Sequence, residues 1–70
     1  MMQTVFIKPG DVYSDRNGQC RGLVKVFKHV VKFRLVRQGR YRYPAMNLEI
    51  GDTRWIGRDQ FCEWAHRRMV

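Results

Sequence analysis

One uninterrupted stretch constrains this chain more than any other. Residues 21–43 read RGLVKVFKHVVKFRLVRQGRYRY, with eight Lys or Arg and no acidic residue. Within it, Val31, Phe33 and Leu35 alternate with Lys32, Arg34 and Val36. Side chains of a strand point to opposite faces in turn, so this is the pattern of a half-buried antiparallel strand. A chain built on it must put the apolar row against a core and leave the cations together on the other face.

The flanking residues supply the rest of a small sheet. Ser14-Asp15-Arg16-Asn17-Gly18 predicts a tight turn, because Asn-Gly accepts positive φ at low steric cost. It joins an extended segment at Val12 and Tyr13 to a strand beginning near Gln19 or Cys20 and running to about Phe27. In that strand Val24 and Val26 are expected on one face and Lys25 and Phe27 on the other. A turn around Lys28-His29 leads into the alternating strand, and Gln38-Gly39 marks the next turn. Arg40-Tyr41-Arg42-Tyr43 alternates again until Pro44, which has no N–H to give a ladder. Short extended runs are also expected at residues 4–7, 47–50 and 54–56. From residue 58 the period changes: Phe61, Trp64, Ala65 and Met69 recur at helical spacing, predicting a helix over residues 58–69. Arg67 and Arg68 would sit in its last turn, where cations suit the dipole.

Four to five short antiparallel strands and one C-terminal helix make a mainly β (α+β) single domain of 70 residues. The expected architecture is a bent sheet closing into a small barrel, with Phe61 and Trp64 of the helix plugging an open end. An open sheet with the helix across one face would use the same inward residues. A chain of this length buries only about 60% of its unfolded surface, which leaves little room for a deep catalytic pocket.

The run Lys8-Pro9-Gly10-Asp11-Val12-Tyr13, followed by Asp15-Arg16-Asn17-Gly18 and Gly22-Leu23-Val24-Lys25-Val26, resembles the entry of small SH3-like barrels. It is similar to the KOW type of ribosomal and transcription-elongation proteins. It is closer to short phage and prophage proteins of unknown function that open on Lys-Pro-Gly-Asp-Val-aromatic. The likeness covers about residues 8–36. It implies an SH3-like barrel and a phage or prophage origin. Where KOW loops carry Lys-Gly after the turn, this chain has Gln19-Cys20-Arg21-Gly22.

The charge balance points to the partner. Fourteen Lys and Arg against six Asp and Glu give +8, and nine cations lie between Asp15 and Glu49 with no acid among them. A fixed cationic patch attracts phosphates, acidic proteins or anionic headgroups. Interleaved aromatics favour nucleic acid, because rings stack on exposed bases while cations hold the backbone. The expected contact residues are Arg21, Lys25, Lys32, Arg34, Arg37, Arg40 and Arg42 for phosphates, with Tyr41 and Tyr43 for stacking. Phe27 shares the outward parity of Lys25. The second expectation is a host protein that a phage-encoded inhibitor or anti-defence adaptor would bind, since Trp, Tyr and Arg dominate interface energetics.

Other chemistries fit less well. Cys62 and His66 at i and i+4 would share a helix face. Cys20 and His29, nine apart with no Cys-x-x-Cys knuckle, do not complete a zinc site. Cys62 beside Phe61 and Trp64 reads as a small packed hydrophobe. No Gly-rich phosphate loop, nucleophile turn or paired carboxylates are present, so the chain reads as a binding domain without cofactor, not an enzyme. No apolar run of 18 residues and no signal-peptide pattern occur, so a cytoplasmic protein with reduced thiols and no membrane contact is expected.

Overall fold

A computed structural model describes residues 7–41 and 47–69. Its elements, in chain order, are β1 (Val12–Ser14), β2 (Cys20–Val26), β3 (Val30–Arg37), β4 (Thr53–Gly57), α1 (Arg58–Trp64) and β5 (Arg67–Met69). The five strands form one antiparallel sheet in the order β4-β3-β2-β1-β5. The ladder does not close: β4 and β5 are its two edges.

The Asn-Gly turn forms where expected. Gly18 has φ +87°, and β1 pairs with β2 through Val12 and Gly22, Tyr13 and Arg21, Ser14 and Cys20. The alternation of β3 is also reproduced, with Val31, Phe33 and Leu35 fully buried. The parity of β2 is different from the simple alternation. Leu23 lies opposite Phe33 and Lys25 opposite Lys32, so the register slips between them, the mark of a bulge. Leu23 and Val26, three positions apart, therefore both serve the core, while Lys25 stays exposed. Without the slip, the rule of two would carry either Val26 or Leu23 to the solvent side.

Two expected elements are replaced. Helix α1 ends at Trp64, and Ala65 is extended at φ −68° and ψ 131°. The residues that follow form β5 instead of a last helical turn, with Met69, Arg68 and Arg67 opposite Val12, Tyr13 and Ser14. The cause is tertiary: β1 offers a row of unpaired backbone groups on its free side, and His66 N–H opens the new pairing by donating to Ser14 O at 2.7 Å. Arg40 and Tyr41 form a bend, not a strand, and residues 47–51 form a loop and turn. The runs expected at residues 4–6 and 42–43 lie outside the described residues.

The core is one cluster on the inner face. Phe61 of α1 meets Tyr13 edge-on with centroids 5.8 Å apart, and lies 6.2 Å from Phe33 and 5.3 Å from Trp64. Ile7 and Leu48, from outside the regular elements, complete it. With the helix packed on this side, Lys25, Arg34 and Trp55 are exposed on the opposite face of β2, β3 and β4, and the charged row is displayed there.

Candidate nucleic-acid interface

The exposed face is built by register. Trp55 of β4 lies opposite Lys32 of β3, which lies opposite Lys25 of β2. Arg34, two residues along β3, lies between Thr53 and Gly22. Phe27, just beyond β2, stacks on Trp55 with centroids 5.9 Å apart and planes 21° from parallel. Both rings are about half exposed, at 53% and 52%, so the pair is a platform and not a core contact. The Lys32 ammonium sits 5.8 Å from the Trp55 ring. The Arg58 guanidinium donates to Phe27 O at 3.0 Å and fixes the start of the β2–β3 turn.

Electrostatically this face is uncompensated. Like charges directly opposite one another destabilise a sheet, and Lys25 faces Lys32. No ion pair joins Lys25, Lys32 or Arg34 to a carboxylate among the described residues. Two of the acids are engaged elsewhere. Asp11 is buried, accepting from the Tyr13 hydroxyl at 3.0 Å and lying 3.8 Å from Arg68. Asp15 is buried too, accepting from Trp64 Nε1 and Gln19 N.

The expected contact residues divide into five groups. Lys25, Lys32 and Arg34 share the open sheet face. Arg37 and Arg40 instead line a groove at one end of the sheet. Tyr41 is 76% exposed in the loop after β3, where Asn17 holds its backbone through both N–H and C=O. Arg42 and Tyr43 lie outside the described residues. Arg21 is a correction. It is 1% exposed, with its guanidinium carbon 4.0 Å from the Trp64 ring centroid and 4.6 Å from that of Phe33, and its Nε donates to Gln19 Oε1 at 2.7 Å. Its partner across the ladder is the buried Leu35, so the register turns Arg21 inward.

Trp55 is the site residue that the sequence reading missed. Its outward parity between Arg54 and Ile56 was visible. The outward parity of Phe27 was expected too, but its stacking on Trp55 follows only once β4 is paired with β3.

The cysteines take no part. Cys20 and Cys62 are free and buried, and burial pushes the Cys62 thiol above its ordinary value. His66 is exposed beyond the end of α1 and accepts from Arg16 Nε at 3.4 Å, so it shares no helix face with Cys62. Among the described residues no three His, Cys, Asp or Glu side chains gather as ligands, and no helix is long and apolar enough to cross a membrane.

Comparison with protein-family models, with curated proteins and with solved structures finds no match to this chain.

Proposed function

We propose that the chain is a nucleic-acid-binding module that holds a single strand across the open face of β2, β3 and β4. The Phe27–Trp55 platform is the observation that carries this reading: stacked, half-exposed rings lie on the same face as three cations that make no ion pair among the described residues. In this reading Trp55 and Phe27 stack on bases, and Lys25, Lys32 and Arg34 hold phosphates. Every base offers a π-face, so such a surface binds with little sequence preference.

The test is an anisotropy titration of a labelled single-stranded oligonucleotide. Three phosphate contacts give a salt slope of about −2, so affinity should fall about 20-fold between about 50 and 200 mM salt. Trp55→Ala should cost about 1–3 kcal/mol. Absence of binding at low salt, a flat salt response, or a silent Trp55→Ala rejects the reading.

The same exposed rings favour one other partner, a protein with an acidic, ring-accepting surface. A complex recovered from nuclease-treated host lysate, and lost in Trp55→Ala, would put the protein partner first.

A further inference from the structure

At the end of the sheet nearest the Asn-Gly turn lies a second basic feature, set apart from the Phe27–Trp55 platform. It is a groove of about 430 Å³ walled by Arg16, Arg37, Arg40 and Arg67, with Ser14 and Cys20 among its other lining residues. Small-molecule sites span about 300–1,000 Å³. The four arginines come from three separate parts of the chain: the β1–β2 turn, the end of β3 with its loop, and β5. Among the described residues no Asp or Glu lines the groove. The nearest carboxylate in sequence, Asp15, is turned inward, bonded to Gln19 N and Trp64 Nε1.

The groove is held in shape independently of any ligand. Asn17 donates to Tyr41 O at 2.7 Å and accepts from Tyr41 N at 3.0 Å, while its own carbonyl accepts from Arg40 N at 2.9 Å. Gln38 donates to Leu48 O at 2.6 Å. The Asn17 bonds fasten the loop after β3 to the β1–β2 turn and so carry Arg40 towards Arg16, while the Gln38 bond ties the same loop to residue 48. Arg16 gives its Nε to His66 Nδ1 at 3.4 Å, a contact that orients its fork. The loop fits only because position 39 is glycine: a Cβ there would come within 2.4 Å of Asn17 Nδ2 and 2.8 Å of Asn17 O.

Four arginines border one concavity, and among the described residues no carboxylate lines it to offset their charge. All four are Arg and none is Lys. A planar fork matches tetrahedral oxyanions through paired N–H donors, which an ammonium cannot do. We infer that this groove is a binding site for a phosphate monoester or pyrophosphate group, supplied either as a free phosphorylated small molecule or as the phosphorylated end of a nucleic-acid strand. The site stands on its own geometry and does not require the sheet face to bind nucleic acid.

The test uses inorganic pyrophosphate as the probe, on the whole chain, by isothermal titration at ionic strength matched with chloride. Saturable one-site binding is expected. The double variant Arg37→Gln, Arg40→Gln should weaken it about tenfold or more, each lost fork being a charge-assisted pair. A charge-matched variant, Lys8→Gln with Lys28→Gln, removes two exposed cations outside the groove and should stay within about twofold of the parent. Far-UV circular dichroism checks that each variant is folded; Arg67→Gln gives a single-site alternative if the double variant is not. A second arm compares one oligonucleotide with and without a 5′-phosphate. Tighter binding of the phosphorylated form, lost in the groove variant, makes the occupant a strand end. Equal binding of the two forms, with pyrophosphate still bound, makes it a free phosphate compound. The inference is overturned if matched chloride reproduces the pyrophosphate signal, or if the control variant loses as much affinity as the groove variant. Oligonucleotide binding that survives such a result leaves the sheet-face proposal intact.

Discussion

Replacing Arg21 separates a buried structural cation from a surface contact. Its guanidinium lies between the rings of Trp64 and Phe33, at 4.0 and 4.6 Å from their centroids, and it bonds Gln19 Oε1 in a site that is 1% exposed. Arg21→Ala removes two desolvated cation–π contacts worth about 1–2 kcal/mol each. It also takes a donor from Gln19 Oε1, itself buried, at about 1–3 kcal/mol. Allowing for overlap, the loss should be about 3–5 kcal/mol. A chain of 70 residues has about 4–10 kcal/mol of total stability, so the variant should lose roughly half of it. Arg21→Lys keeps the charge but loses the flat stacking surface, and should fall between the two. Urea unfolding followed by far-UV circular dichroism measures this without relying on Trp64, which touches the altered side chain. With a slope of about 1 kcal/mol per molar urea, the Arg21→Ala midpoint should drop by about 3 M or more. A variant that unfolds within about 1 kcal/mol of the parent, yet no longer binds oligonucleotide, would refute the argument. It would make Arg21 a surface contact after all.

Lys25→Glu turns the repulsion across from Lys32 into attraction, so it should raise stability by about 0.5–1 kcal/mol in denaturant while weakening oligonucleotide binding. Gly39→Ala forces a Cβ onto the backbone carbonyl of Asn17; a loss of about 1–3 kcal/mol in thermal or urea unfolding is expected, with weaker pyrophosphate binding. Tyr13 is buried and donates its hydroxyl to Asp11, and burial first, then that bond, push its pKa up to about 12. The folded state therefore keeps a proton that the unfolded state releases near pH 10. Stability from this source is complete below pH 10 and declines by up to about 2–3 kcal/mol as pH rises to 12. Unfolding curves at pH 9 and 11 should show a smaller alkaline loss in Tyr13→Phe than in the parent.

What could be read from the sequence was local. The Asn17-Gly18 turn, the alternation of β3 and the outward Lys32 and Arg34 all follow from rules that span a few residues. What could not be read depended on partners distant in the chain. Arg21 looks like another cation in a basic run until the ladder sets it opposite Leu35. The helical spacing that reaches Met69 gives way because β1 has a free side to pair. Leu23 and Val26 share the core only through a register slip that alternation cannot anticipate. The site shows the same division. Lys25, Lys32 and Arg34 follow from parity, whereas the Phe27–Trp55 stack needs β4 placed beside β3. The groove needs three separate parts of the chain brought to one end.

The pairing of β1 with β5 also governs the order of assembly. β2 and β3 meet across a short turn and can form as soon as both exist. β1 pairs with β2 just as early on one side, but its other side must wait for β5, more than 50 residues further along. During synthesis from the N-terminus, its second side stays open until β5 has been made. Loss of β5 would leave a β1 edge free to recruit a strand from a neighbouring copy.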